Sequence, residues 1–232
     1  MLVGASGFVQ TVWGYRLLWI MGRFGGGKTS LAYRLAQEYL DQGYRLITNN
    51  LSIWADSLDS IDLDENNHLK AVVILDEGGL VFKSSKQIEM IAAYANKMDC
   101  IYIIPSYFPP TRTAQVVTCQ PIVNLKAAGV PVIAYRWRCK LGGFTDSGSF
   151  LWVNPGEIYG IYSRQDPGDR ASDIVQFLVE KSEEYRGRYG RFDGLSTLEE
   201  VTETDILRDA SEAIAGAADS ITSIPIRKSR RR

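Results

Sequence analysis

Gly22-Arg23-Phe24-Gly25-Gly26-Gly27-Lys28-Thr29 satisfies the pattern G-x-x-x-x-G-K-[ST] at every fixed position. Glycines let a backbone curl until its N–H groups converge on a polyphosphate. Lys28 adds a charge at the β- and γ-phosphates, and the Thr29 hydroxyl is a ligand for Mg²⁺. A helix opening behind the loop turns the positive end of its dipole toward the same anion. Gly22, Gly25, Gly26, Gly27, Lys28, Thr29 and Ser30 are therefore the candidate nucleotide-binding residues. The flanks agree with this. Leu17-Leu18-Trp19-Ile20-Met21 is the short apolar run of a buried parallel strand. From Thr29 to Gln42 the chain reads as a helix, with Leu31, Ala32, Leu35, Ala36 and Leu40 on one face and Gly43 as the stop.

A second motif lies 48 residues on from Lys28, where Val72-Val73-Ile74-Leu75 runs into Asp76-Glu77. A strand buried on both faces delivers an acid at its carboxyl end, the end where ligands bind in open parallel sheets. Asp76 is the expected second Mg²⁺ residue, opposite Thr29. Glu77 is the expected catalytic residue that orients and polarises an attacking water. Together with Lys28 the pair points to hydrolysis of ATP with Mg²⁺ as cofactor. Ser106, after the fourth strand, is the candidate γ-phosphate sensor. Arg112, past Pro109-Pro110, is the candidate arginine finger toward a neighbouring subunit, with Arg136, Arg138 and Arg164 as competitors. A finger of this kind is worth about 10³–10⁵ in rate.

The remaining pattern alternates strand and helix at first. Tyr44–Thr48 and Ala71–Leu75 read as strands, and so does Ile101–Ile104, closed by Pro105 and Ser106. Ser84–Met98 reads as a helix with Ser84 and Gln87 as a capping-box pair and Ile88, Ile91, Ala92 and Ala95 sharing a face. Residues 56–67 read as an acidic surface loop with a short helix. The rhythm then changes to short strand-like runs at Val130–Trp137, Ser149–Val153 and Glu157–Tyr162. They are broken by Gly142-Gly143, Gly148 and a turn at Asn154-Pro155-Gly156. These predict a largely parallel sheet with helices on both faces, extended by antiparallel strands at one edge. Ala171–Arg186 reads as an amphipathic helix with Ile174, Phe177, Leu178 and Tyr185 inward.

Composition fits a soluble globular chain: 232 residues, 45% hydrophobic and 23% charged, far from disordered or fibrous classes. Met1–Tyr15 is fairly apolar but lacks a basic start, so no cleaved leader is expected, and no apolar run is long enough for a membrane span. Cys100, Cys119 and Cys139 are widely spaced and form no C-x-x-C pair, which predicts buried reduced thiols and a cytoplasmic setting. His68 belongs to a polar loop. The net charge of −1 hides an asymmetry. Arg227, Lys228, Arg230, Arg231 and Arg232 crowd the last six residues, leaving 21 basic against 27 acidic residues elsewhere. A basic tail on an acidic body suits nucleic acid or anionic lipid, or simply a solvated end. Residues 1–192 read as the globular domain. Residues 193–232 read as a helical appendage with a basic tail, Ser196 and Glu199 capping a stripe of Ile206, Leu207, Ala210, Ile214, Ala217 and Ile221.

Gly22–Thr29, Thr48-Asn49-Asn50, Ile74-Leu75-Asp76-Glu77 and Ile158–Ser163 together resemble the zonula-occludens-toxin-like ATPases of filamentous phages, within the FtsK/HerA group of DNA-translocating ATPases. The resemblance covers roughly residues 14–180. It implies a P-loop NTPase with a mainly parallel, RecA-like sheet, binding ATP through Lys28 and Thr29 and assembling as a homo-oligomer, with a hexameric ring as the group's form. The implied work is packaging, extrusion or translocation of viral DNA in the host cytoplasm or on the virion, with the basic tail on DNA and peripheral contact with membrane or capsid proteins. The fourth strand ends in Pro105-Ser106 where the group often carries glutamine. The competing readings are a nucleotide-dependent assembly or scaffold protein and a small-molecule P-loop kinase.

Overall fold

The computed structural model describes residues 1–23, 25–77, 82, 85–110, 116–127, 129–141, 144–163 and 168–188. The chain divides into two compact units, Met1–Arg188 and Tyr189–Arg232. The second lies outside the described residues, and with it the predicted capped helix, its apolar stripe and the basic tail; the sequence reading had placed the division after residue 192.

In the first unit the elements run β1 (Leu2–Val3), α1 (Ser6–Tyr15), β2 (Leu17–Met21), α2 (Lys28–Leu40), β3 (Arg45–Thr48), β4 (Leu51–Ser52), β5 (Ala71–Ile74), α3 (Ser85–Ala95), β6 (Cys100–Ser106), β7 (Val117–Ala127), β8 (Val130–Leu141), β9 (Phe144–Val153), β10 (Tyr162–Ser163) and α4 (Gly168–Arg188). Short 3₁₀ turns occupy Leu58–Ser60 and Pro155–Ile158. Eight strands form one mixed sheet in the order β1-β9-β8-β7-β2-β6-β5-β3, and β4 pairs with β10 in a separate ribbon. The pairings from β7 through β2, β6 and β5 to β3 are all parallel. Those that add β8, β9 and β1 are antiparallel.

Side-chain alternation on the strands divides the core between the two faces. Leu18, Ile20, Ile103, Tyr135 and Trp152 pack with Phe8 and Val12 of α1 and Leu31 and Leu35 of α2. Trp19, Val73, Tyr102 and Ile104 pack with Ile88 and Ile91 of α3 and Ile174 and Leu178 of α4. Each such burial stabilises by roughly 1.5–3 kcal/mol relative to exposure. Gly43, at φ 82°, ends the α2 segment where a stop was expected, and its N–H donates to the Leu40 carbonyl.

Several local expectations are corrected. Pro105 and Ser106 belong to β6 rather than closing it, in register with Ile20 and Met21. Tyr102 bonds toward β2 and Ile103 toward β5, so the N–H that Pro105 lacks falls on the β5 side, where β5 has already ended at Ile74. Gly148 does not break a strand. It sits inside β9 opposite Trp137, where a Cβ would lie 2.8 Å from the indole nitrogen. Glu157–Tyr162 is not a strand and Asn154–Gly156 is not a hairpin turn. Asn154 is left-handed (φ 54°) and starts the 3₁₀ turn with Pro155 at its head, leaving only Tyr162–Ser163 extended. β7 and α1 carry weak signals: Pro121 and a register shift between Pro121 and Val123 interrupt the alternation of β7, and Gly7 and Gly14 dilute α1. Ser84 of the expected capping box lies outside the described residues. No helix among the described residues is long and apolar enough to cross a membrane.

Candidate functional site

The glycine loop spans the gap between β2 and α2, with Phe24 outside the described residues. Gly25 and Gly27 hold φ of 73° and 81°, a region that disfavours residues with a Cβ. Gly27 is constrained twice, because a Cβ there would lie 2.9 Å from Ile133 Cδ1 and 3.0 Å from the Tyr135 hydroxyl oxygen. The Tyr135 hydroxyl donates to the Gly27 carbonyl at 3.2 Å. Burial pushes the pKa of that hydroxyl up, which keeps it a donor. Gly26 N–H closes the loop on the Arg23 carbonyl at 3.1 Å, and the buried Lys28 Nζ donates to the same carbonyl at 3.2 Å. α2 begins with no side-chain cap and no acid in its first turn, so its leading N–H groups are available to an anion.

The two motifs meet at the head of α2. Thr29 Oγ1 donates to the Asp76 carboxylate, 2.9 Å from Oδ2 and 3.1 Å from Oδ1. Asp76 is held from the β3 side by two buried asparagines. The Asn49 amide makes a two-point clasp, accepting from the Asp76 N–H at 2.8 Å and donating to the Asp76 carbonyl at 3.1 Å. A side chain thereby continues the β3–β5 ladder past the last backbone pair, Thr48 with Ile74. Asn50 Nδ2 donates to Asp76 Oδ2 at 3.2 Å, and Asn50 N–H donates to Thr48 Oγ1 at 3.2 Å. Glu77 follows in the left-handed region (φ 52°) with its N–H on Asp76 Oδ1 at 3.2 Å. A non-glycine residue in that region is strained by about 1–3 kcal/mol, a feature that clusters at functional sites.

Tyr162, from the β4–β10 ribbon, completes the wall. Its hydroxyl lies 2.8 Å from Ser30 Oγ, and its ring stacks on Tyr33 with centroids 4.4 Å apart and planes within 3°. Gly25–Ser30, Asn50, Asp76, Glu77 and Tyr162 line a cleft of about 290 Å³. Its donor set fits a polyphosphate with Mg²⁺. Thr29 and Asp76 offer one hydroxyl and one carboxylate, and Mg²⁺ in such sites takes its remaining ligands from phosphate oxygens and water. Among the described residues no cluster of three or more His, Cys, Asp or Glu side chains is gathered to hold a metal by itself.

The other sequence candidates fall elsewhere. Ser106 is fully buried beside Met21, its Oγ accepting the Phe108 N–H at 3.1 Å, and it does not line the cleft. Arg112 and Arg164 lie outside the described residues. Arg136 and Arg138 are exposed on β8. Cys100, Cys119 and Cys139 are free and buried. In the acidic loop Asp64 Oδ1 accepts the N–H groups of Asn66 and His68, and the backbone of His68 serves the turn. The sequence reading did not assign site roles to Asn49, Asn50, Tyr135 or Tyr162. The two asparagines carried a signal, a polar pair at the end of a buried strand on the same sheet edge as Asp76. Tyr135 looks like any inward strand residue. No family model matches the chain, and no curated protein matches it.

Proposed function

We propose that the chain is a Mg²⁺-dependent ATP hydrolase of the P-loop class with a RecA-like sheet, and that it works on DNA as a ring motor. The observation that carries the first half is the bond from Thr29 to both oxygens of Asp76, which joins the two motifs in one cleft. The strand order adds support: β6 stands between β2, which leads into the loop, and β5, which leads into Asp76. The second half is supported by the sequence resemblance and by the basic tail of Arg227, Lys228, Arg230, Arg231 and Arg232.

In this reading the glycine-loop N–H groups and Lys28 hold the β- and γ-phosphates, Lys28 leaving the Arg23 carbonyl for the ligand. Thr29 and Asp76 hold the metal, which neutralises phosphate charge when bound. Glu77 accepts a hydrogen bond from a water, aligns it with the terminal phosphorus and takes its proton as the bond to the bridging oxygen breaks. Arg112 completes the proposed set as a cation offered to a neighbouring subunit; Ser106, buried and off the cleft lining, is given no part in it.

The test is ATP turnover with and without double- and single-stranded DNA, alongside the mass of the assembly. Turnover that DNA accelerates, lost in Lys28→Ala, is the expected result. Glu77→Gln is expected to bind ATP and turn over at least about 10²-fold more slowly. Turnover unchanged in Glu77→Gln removes Glu77 from the mechanism. ATP binding without turnover or DNA affinity replaces the motor with the scaffold reading, and phosphate transfer to a metabolite replaces it with a kinase.

A further inference from the structure

The phosphate cleft has two flanks, and they differ. Toward β7 and β8 it is packed shut. A Cβ on Gly26 would lie 3.3 Å from Pro121, and one on Gly27 would strike Ile133 and Tyr135. On the other side stands Tyr162, and beyond it opens a cavity of about 820 Å³ between the β4–β10 ribbon and the first turn of α4. Tyr162 lines both spaces. The cleft, at about 290 Å³, suits a polyphosphate but leaves little room for a base and sugar.

Leu51 on the ribbon and Ile53 just past β4 bring apolar side chains to the larger cavity while remaining 50% and 80% exposed. Apolar surface of this kind inside a concavity marks a ligand site more often than bare surface. Asp56 and the half-buried Arg170 supply polar groups to the same lining. The Asp56 carboxylate spends Oδ2 on the Leu46 N–H at 3.0 Å. Arg170 has no ion pair among the described residues.

We infer that this cavity receives the nucleoside of the bound nucleotide, with Tyr162 as the partition that the α-phosphate crosses and Ile53 and Arg170 as walls against the base and sugar. The inference rests on the polyphosphate reading of the glycine loop and extends it to the part of the ligand that the loop does not touch. Ser30, bonded to Tyr162, then stands where phosphate gives way to ribose. A lining that holds both an apolar residue and a guanidinium suits the flat, polar-edged face of a base.

The test compares two probes, Mg-ATP and Mg-tripolyphosphate, by calorimetry on the full chain. The variants are Ile53→Ala and Arg170→Ala, both at solvent-accessible positions, with thermal melts to verify folding. Each variant is expected to weaken ATP by about tenfold. Tripolyphosphate affinity is expected to stay within about twofold of wild type, since the loop is untouched. Equal losses for both probes, or no loss for ATP in either variant, overturn the inference while leaving the loop reading intact. A wild-type chain that binds neither probe overturns the loop reading itself, and the nucleoside pocket with it.

Discussion

Asn49 is the most consequential residue that looks dispensable. Its side chain is fully buried and makes two hydrogen bonds, both to the backbone of Asp76. Replacing it with alanine removes both and leaves a peptide N–H and a carbonyl without partners at the end of β5. Each lost bond is worth about 1 kcal/mol net, and an orphaned buried group adds about 1–3 kcal/mol. The half-buried cleft lets water reach part of the gap, so a total of about 2–3 kcal/mol is expected, near the lower end of that range. For a domain of this size that lowers Tm by roughly 5–10 °C. The assay is urea unfolding at pH 7, read as a shift in midpoint at constant slope. Asn49→Asp retains the acceptor but faces the Asp76 carbonyl with a second acceptor, so it is not expected to rescue. The clasp would be refuted if Asn49→Ala lay within about 0.5 kcal/mol of wild type, the ordinary scatter of surface substitutions. It would also be refuted if Asn49→Asp matched wild type while alanine did not, since the donor would then be idle.

Gly27→Ala forces a side chain into a left-handed backbone and against Ile133 and Tyr135. The backbone term alone is about 1–2 kcal/mol, and loss of ATP binding with the fold retained by circular dichroism is the expected result; an alanine variant with native affinity would contradict it. Lys181 Nζ bonds Asp62 Oδ1 at 2.6 Å and Glu184 Oε2 at 2.8 Å, and holds both carboxyls below their ordinary pKa. Groups depressed in the folded state contribute stability above their unfolded pKa and lose it as pH falls through the folded value. Tm is therefore expected to fall as pH drops below about 4.5, the ordinary Glu value, and Lys181→Met to flatten that slope; parallel wild-type and mutant curves would rule the clasp out. Burial pushes the Cys100 thiol up to about 12 and raises Cys119 as well, while Cys139 borders a surface cavity beside Tyr15 and Asp146. Iodoacetamide at pH 8, followed by peptide mass mapping, is expected to label Cys139 first and the other two only in denaturant.

What could be seen in the sequence depended on how far each constraint reaches along the chain. β2, α2, β3 and β5 announce themselves because burial on one or two faces dictates local periodicity, and the loop glycines announce themselves because their φ values are local too. Asp76 was legible as the end of an apolar strand. The clasp that aims it was half legible, in the polar pair Asn49-Asn50. β7 was hidden because Pro121 and the register shift beside it disturb the alternation that would identify a strand. Tyr162 was hidden for another reason: its role is defined by Ser30 and Tyr33, which lie far away in sequence, and the short ribbon that carries it has no periodicity to detect. Gly148 misled because glycine admits two causes, a turn or a close neighbour, and only the facing indole of Trp137 distinguishes them.

The Tyr135 bond to Gly27 spans 108 residues, and the Tyr162 contact with Ser30 spans 132. Both sides of the glycine loop are thus finished by chain that leaves the ribosome long after the loop itself. Contacts of such separation form late because loop closure must precede them. During synthesis these two supports of the loop are therefore expected only after the strands carrying Tyr135 and then Tyr162 have docked. On the proposed nucleotide reading of the loop, capture of ATP is then expected among the last events in folding, and a nascent chain halted before Tyr162 is expected to be inert toward ATP although its whole glycine motif has already been made.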